Sequence, residues 1–146
     1  MKVLLAAALA VALPVAAATA ADETLGAGVT LNDATPISKI VASPKDYAGK
    51  TVRIDGVATA VCEAMGCWLA VAENDKKDAP TIRLKVDDNG PIKFPMSAKG
   101  KKVSAQGTFQ AIGGDAHGKD AAGEHAKHDA KASTDYQIAA TGAVIK

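Results

Sequence analysis

The sequence predicts a small, mainly β domain built as a five-stranded barrel, with short helical segments before the first strand and between the third and fourth. Three observations support this prediction. Five runs of residues alternate between apolar and polar side chains, which is the period of a half-buried strand. Glycines interrupt these runs where the strands of a small barrel must bend. The chain of 146 residues is also long enough for one domain with a modest core.

Residues 1–20 have the composition of a secretory signal peptide. A positively charged start, Met1-Lys2, precedes an apolar run that ends in small residues. This run is shorter than the roughly 20 residues that a membrane-spanning helix needs, and no stop-transfer pattern follows it. We therefore expect cleavage after Ala20 or Ala21, a periplasmic or secreted product, and no membrane anchor after cleavage.

Charge and aromatic content argue against nucleic acid as a partner. Of the 17 basic residues one is Lys2, so the chain after cleavage carries 16 basic and 16 acidic residues. A protein that binds phosphates favours a basic excess. The chain has one tryptophan, two tyrosines and two phenylalanines, too few for a platform on which bases stack.

The predicted barrel domain spans residues 36–146 and is preceded by a flexible lead-in. Residues 21–35 are small and polar, which predicts that lead-in. Ile37 and Ile40 then fall at helical spacing, and Ser43-Pro44 is typical of the start of a second short helix. We expect these helical turns to plug one end of the barrel.

The first two predicted strands form a hairpin that carries both cysteines. Cys62 and Cys67 stand at the two shoulders of its loop, and Gly56 marks a bend or bulge in the first strand. The first strand spans residues 51–62, the second 67–72. The residues of the first strand that share one face are Val52, Ile54, Gly56, Ala58 and Ala60.

Three further strands complete the predicted barrel. They span residues 81–87, 101–111 and 136–145, with a helical turn at 96–100. Between the last two strands lies a His-rich insertion, residues 113–134, whose low complexity predicts a flexible surface loop. Five short strands with a helical connection after the third are typical of an OB-type barrel.

Several local motifs resemble a known group of proteins. They are a Gly-Lys entry to the first strand, a Val-Cys then Gly-Cys-Trp hairpin, a Phe-Pro turn and a Gly-Lys entry to the fourth strand. Residues 36–112 and the last strand thereby resemble a family of small exported bacterial OB-fold-like proteins of uncharacterised function. The resemblance implies a fold and a compartment, but no activity, and the His-rich insertion lies outside it.

The two cysteines support two interpretations. In an exported protein, cysteines that face each other across a hairpin favour a disulfide, Cys62–Cys67. So small a ring stabilises the fold by only about 2 kcal/mol on the chain-entropy estimate. The other interpretation is a reduced pair that acts as metal thiolates or as a redox couple. The C-x4-C spacing in a hairpin lacks the helix N-terminus that stabilises a thiolate in C-x-x-C proteins.

The histidines suggest a metal site. His117, His125 and His128 all lie in the insertion, and His125 and His128 would share one face of a helix. The loops on either side of the binding face of an OB barrel are the hairpin loop and this insertion, so we expect them to be neighbours. Together with Cys62 and Cys67, the histidines would offer sulfur and imidazole, the donor set of Cu or Zn.

The sequence therefore predicts a periplasmic binding or accessory module that is not an enzyme. Its partner is a transition metal, Cu or Zn, or another periplasmic protein, bound at the face between the Cys62–Cys67 hairpin and the His-rich loop. No catalytic residues are expected, because the chain has no H-E-x-x-H motif, phosphate loop or Ser/His/Asp arrangement. Two alternatives stay open: a structural or protein-interaction module with a structural disulfide, and a thiol-disulfide partner protein.

Overall fold

The computed structural model describes residues 21–112 and 132–146. Within them the chain forms six β-strands, two short α-helices and one 3₁₀ turn. The strands are β1 Glu23–Gly26, β2 Thr51–Val61, β3 Trp68–Ala72, β4 Thr81–Lys85, β5 Lys102–Ala111 and β6 Ala132–Ile145. The helices are α1 Ile37–Ala42 and α2 Pro44–Tyr47, and the 3₁₀ turn, Met96–Ala98, lies between β4 and β5.

Five of these strands close into a barrel. β2 pairs with β3 and β3 with β4 in antiparallel fashion, while β4 pairs in parallel with β6. β6 in turn pairs with β5, and β5 with β2, which closes the ring. The structure thus confirms the mainly β, five-stranded OB-type barrel and the positions of its short helical segments.

Apolar side chains that alternate along the strands fill the barrel. Ile54 and Leu84 are fully buried, and Phe109 is nearly so. At one end α1 packs onto this core through Ile37 and Ile40, as their helical spacing predicts. A barrel of this size has room for side chains alone, so its interior is a packed core and ligands must bind outside it.

The second helix begins where the sequence predicts. α2 begins at Pro44, the position where a proline loses no helical hydrogen bond. The side chain of Ser43 makes no capping hydrogen bond, although Ser43 directly precedes the helix. At the C-terminal end of the helix, the N–H of Ala48 donates a backbone hydrogen bond to the carbonyl of Pro44 at 3.1 Å.

A β-bulge in β2 reverses the side-chain pattern that the sequence predicts for this strand. The register with β3 shifts between Ala58 and Ala60, so that Thr59 is an extra residue. Ala58 is 1% exposed, and beyond the bulge it is Val61, 6% exposed, that turns inward. The prediction that Ala60 lies on the buried face is therefore wrong, because one extra residue moves every later side chain to the opposite face.

Gly56 permits two strands to approach each other closely. A Cβ at this position would lie 2.2 Å from the carbonyl oxygen of Ala72 and 2.6 Å from Cγ1 of Val71, both on β3. The glycine is therefore required by the distance between β2 and β3. The bulge itself follows at Thr59.

Residues 21–35, predicted as a flexible lead-in, make ordered contacts with the barrel. β1 lies in this segment and pairs antiparallel with β6. The buried side-chain oxygen of Gln106 accepts hydrogen bonds from the backbone N–H groups of Thr30 at 2.8 Å and Leu31 at 3.0 Å. Composition does not predict these contacts, because they use backbone groups that every residue carries.

Two predicted segments lie outside the described residues. They are the signal peptide, residues 1–20, and most of the His-rich insertion, residues 113–131. Among the residues that the structure describes, no helix is long and apolar enough to cross a membrane.

Candidate functional site

The loop between β2 and β3, residues 62–67, is called the cysteine tip below. Four residues separate its two cysteines, and the first three, 63–65, form a turn. The N–H of Cys62 donates to the carbonyl of Trp68 at 3.0 Å, and the N–H of Gly66 donates to the carbonyl of Cys62 at 3.0 Å. These bonds close the loop so that both cysteine side chains lie on the same side of it.

The sulfur atoms of the two cysteines are in contact. Cys67 donates its S–H to Sγ of Cys62 over 3.0 Å, and both side chains are half-buried. The hairpin therefore brings the two thiols together, as the sequence predicts. Both are free thiols in the structure, and a disulfide between them stays a prediction.

The cysteine tip is fixed to the segment that follows β4. Gly66 is buried with a φ of +62°, and a Cβ there would lie 2.4 Å from the carbonyl oxygen of Phe94. The N–H of Phe94 donates to the carbonyl of Gly66 at 2.9 Å, and the N–H of Val86 donates to the carbonyl of Cys67 at 3.1 Å. The side chain of Phe94 is buried in the core, so the tip is tied to the rigid part of the barrel.

The surroundings of Cys62 favour its thiolate. Burial raises its pKa, but hydrogen bonds from the Cys67 thiol and from the backbone N–H groups of Met65, Cys67 and Ala64 outweigh that effect. The pKa of Cys62 is lowered from its ordinary 9.0 to about 7. Donors that converge on one sulfur stabilise its negative charge, so Cys62 ionises more readily than an ordinary cysteine.

The surroundings of Cys67 act in the opposite direction. Burial raises the pKa of Cys67, and so do its hydrogen bond to Cys62 and the negative charges of Cys62 and Asp88. The ammonium group of Lys85 lowers that pKa but does not compensate. Lys85 also forms an ion pair with Asp88 and thereby lowers the pKa of Asp88. The pair is consequently asymmetric, with one sulfur prone to ionise and the other prone to keep its proton.

An aromatic and a cationic side chain lie beside the cysteine tip on the outer face of the barrel. The guanidinium carbon of Arg83, on β4, lies 5.2 Å from the ring centroid of Trp68, on β3, within the range of a cation–π contact. Trp68 is half-buried and points to the side opposite Leu69, which is fully buried. Met65, at the end of the turn, is 55% exposed.

The structure describes only two of the five predicted metal ligands. Cys62 and Cys67 are in contact, whereas His117, His125 and His128 lie outside the described residues. Among the residues that are described, no group of three or more His, Cys, Asp or Glu side chains is arranged to hold a metal ion.

Strand register separates the base of the insertion from the cysteine tip. Trp68, next to the cysteine tip, pairs with Lys85, and Ala132, which follows the insertion, pairs with Thr81. Thr81 and Lys85 are the two ends of β4, about 13 Å apart at the rise of a strand. The base of the insertion and the cysteine tip therefore lie at opposite ends of the barrel, with the outer face of β3 and β4 between them.

Two residues of this site are not predicted from the sequence. Gly66 belongs to the Gly-Cys-Trp motif and Lys85 is a polar residue of an alternating strand, and neither pattern indicates a role beside the thiols. The pairing of Trp68 with Lys85 places that cation beside Cys67. The outward parity of Lys85 was visible in the sequence, but its partner on β3 depends on the length of the loop between the strands.

Comparison with known proteins assigns neither a family nor a function to the chain. No protein-family model matches the chain, and no match was found to a curated protein or to a solved structure. The resemblance to small exported proteins with a Val-Cys and Gly-Cys-Trp hairpin therefore stays a prediction.

Proposed function

We propose that the protein is an exported, non-enzymatic binding module that holds a soft transition-metal ion, Cu(I) or Zn(II), at the cysteine tip. The observation that supports this proposal is the contact of two half-buried thiols, Cys62 and Cys67, whose sulfur atoms lie 3.0 Å apart. Thiolates are the protein ligands that select Cu(I) and Zn(II) over harder cations such as Mg²⁺.

Ionisation of the thiols favours metal binding. A cysteine must lose its proton before it coordinates a metal, so protons compete with the ion. The pKa of about 7 at Cys62 makes this competition weak at neutral pH. A metal ion that binds Cys62 adds positive charge beside Cys67, where the Lys85 ammonium already favours the thiolate, and so displaces the second proton.

The spacing of the sulfurs needs little adjustment. Two Zn–S bonds of about 2.3 Å at a tetrahedral angle place the sulfurs roughly 3.8 Å apart. The present separation is 3.0 Å, so rotation of two half-exposed side chains supplies the difference. The backbone does not have to move, and the bond between Phe94 and Gly66 keeps it in place.

Two thiolates leave further coordination positions to fill. Met65 is 55% exposed in the same turn and carries a thioether, a ligand that suits Cu(I). His117, His125 and His128 are the predicted imidazole ligands. Since the base of the insertion lies at the other end of the barrel, the thiol pair is the part of the site on which this proposal rests.

Titration with Cu(I) and with Zn(II) tests the proposal. The reduced protein, purified after export and without an affinity tag, is titrated against a chromophoric chelator, and stoichiometry is read by native mass spectrometry. We expect one ion per chain, lost when both cysteines are replaced in Cys62→Ser/Cys67→Ser. The triple replacement of His117, His125 and His128 by alanine measures how much the insertion contributes to the affinity for the metal ion. An adduct that survives loss of both cysteines would refute the proposal.

A structural role for the cysteine pair is the second candidate. The contact of the two sulfurs and the hydrogen bond that ties Gly66 to Phe94 both suit a tip that a disulfide holds in one shape. In that case reduction costs about 2 kcal/mol of the free energy of unfolding. Urea denaturation of the oxidised and reduced protein measures this difference. A cost of that size, without a stoichiometric metal adduct in either redox state, would favour an interaction module.

A further inference from the structure

We propose that the thiol pair exchanges with the disulfide bonds of other molecules, with Cys62 as the attacking sulfur and Cys67 as the sulfur that resolves the mixed disulfide. This inference goes beyond metal binding and does not depend on it. The substrate is an accessible disulfide bond, whether of a small molecule or of a protein.

The hydrogen bonds of the cysteine tip distinguish the two sulfurs. Cys67 donates its S–H to Sγ of Cys62, so that Cys62 is the acceptor in the pair. Ala64 and Met65 lie in the turn that directly follows Cys62, and the N–H of Gly66 closes this turn on the carbonyl of Cys62 at 3.0 Å. Successive N–H groups of a tight turn form a concavity that stabilises an anion.

The site is accessible and held in place. Glu63 and Ala64 are exposed, and Met65 is 55% exposed, so the turn projects from the barrel. Both cysteines keep part of their surface open. The backbone bond between Gly66 and Phe94 fixes the tip, so a substrate meets two sulfurs that are already in contact.

The exchange balances in atoms and electrons. The Cys62 thiolate attacks one sulfur of a substrate R–S–S–R′, a bond forms between Cys62 and R–S, and R′–S⁻ leaves. Cys67 gives its proton to that leaving thiolate, and the Cys67 sulfur then attacks Cys62 and releases R–S⁻. The products are a Cys62–Cys67 disulfide, R–S⁻ and R′–SH. The protein pair loses two electrons and the substrate disulfide gains them.

The order of the two steps follows from the contacts of Cys67. Before the first step, the S–H of Cys67 is engaged in its hydrogen bond to Sγ of Cys62. Formation of the mixed disulfide breaks this hydrogen bond and leaves the Cys67 sulfur next to the new bond. Lys85 pairs across the sheet with Trp68, the neighbour of Cys67, and supplies positive charge on that side of the site.

Trapping of the mixed disulfide tests this division of roles. Reduced protein, freed of metal by a chelator, is mixed with oxidised glutathione in one arm and with a small folded protein that has one exposed disulfide in the other. Samples are quenched with acid and analysed by mass spectrometry. We compare wild type with Cys67→Ser and Cys62→Ser, use the double variant for background, and check folding by circular dichroism.

We expect wild type to end as the internal disulfide and Cys67→Ser to accumulate a mixed disulfide on Cys62. Cys62→Ser should form its mixed disulfide at least about threefold more slowly, as a less activated thiol does. Reaction in only one arm identifies the source of the substrate disulfide and supports the proposal. Equal rates for the two single variants, or no mixed disulfide in Cys67→Ser, would overturn it. Because a chelator is present, neither result depends on metal binding.

Discussion

Gly66 and Phe94 are joined through their backbones. The N–H of Phe94 donates to the carbonyl of Gly66 at 2.9 Å, and a Cβ on Gly66 would lie 2.4 Å from the carbonyl oxygen of Phe94. Gly66 is also in the left-handed region, with a φ of +62°. The cysteine tip therefore requires glycine here for two reasons, the backbone conformation and the lack of space.

Substitution at Gly66 separates these two reasons. We expect Gly66→Ala to lower the free energy of unfolding by about 2 kcal/mol or more, because conformational strain and a steric clash add together. Gly49 is the matched control, since its φ is +77° and nothing lies within 4 Å of an added Cβ. Gly49→Ala should therefore show only the strain, about 1 kcal/mol. Equal costs in urea denaturation would mean that Phe94 does not confine Gly66.

The alkylation rate of Cys62 should follow its lowered pKa. Burial raises that pKa, but hydrogen bonds from the Cys67 thiol and the turn lower it to about 7. We expect the rate of modification by iodoacetamide, measured by peptide mass spectrometry, to reach half its maximum near pH 7. The other titratable groups around the pair are Lys85 and Asp88. Cys67→Ala removes a donor and should move the midpoint upward, and a wild-type midpoint near pH 9 would contradict the structure.

Removal of the Lys85 ammonium should raise two pKa values. The hydrogen bond from Lys85 is the largest cause that lowers the pKa of Asp88, and Lys93 is the smallest. Lys85→Gln should therefore raise the pKa of Asp88 towards its ordinary 3.8, and Lys93→Gln should raise it less. Lys85→Gln should also raise the pKa of Cys67. NMR titration of the Asp88 carboxyl and of the Cys67 β-carbon measures both changes, and a larger effect of Lys93→Gln on Asp88 would contradict this assignment.

The bulge at Thr59 makes two valines of β2 unequal. Val61 is 6% exposed and faces the core, whereas Val57 is only half-buried. We expect Val61→Ala to cost about 2 kcal/mol of the free energy of unfolding, because it leaves a cavity, and Val57→Ala to cost clearly less. Urea denaturation of both variants decides the point. If Val57→Ala costs as much as Val61→Ala, the reversal of faces at the bulge is not real.

We expect the side chain of Gln106, on β5, to hold the segment between β1 and α1 against the barrel. Its side-chain oxygen accepts hydrogen bonds from the N–H groups of Thr30 and Leu31. Gln106→Ala leaves both donors without this partner, and we expect a loss of about 1–2 kcal/mol. Amide hydrogen exchange at Thr30 and Leu31 should become faster. Gln110→Ala, at a half-buried glutamine on the same strand, is the control and should leave those two amides protected.

The strands of the barrel were predictable because they depend on a local pattern. Alternation of apolar residues located β2 to β6 and placed both cysteines on one hairpin. Features that depend on backbone geometry were not predictable. The bulge at Thr59 inserts one extra residue into β2, and the residue types around it do not indicate where. The hydrogen bonds from Thr30 and Leu31 to Gln106 come from backbone N–H groups, which every residue except proline carries.

The candidate site was likewise predictable only in part. The sequence predicts the proximity of Cys62 and Cys67, since a hairpin must bring its two shoulders together. It does not predict which thiol ionises, because that depends on the hydrogen bonds within the cysteine tip. It also does not predict that Ala132, which follows the His-rich insertion, lies at the end of β4 away from the cysteine tip. The relative position follows from the pairing of Thr81 with Ala132, a register between strands far apart in sequence.

The last strand of the barrel also sets the order in which the chain can fold. β6 pairs with β1, β4 and β5, and it follows all of them in sequence. A chain that emerges with its N-terminus first, from a ribosome or through a membrane, thus cannot close the barrel before its final strand is free. Until then β4 and β5 are open edges that invite pairing with other chains. Both edges stay exposed until β6 has paired with them.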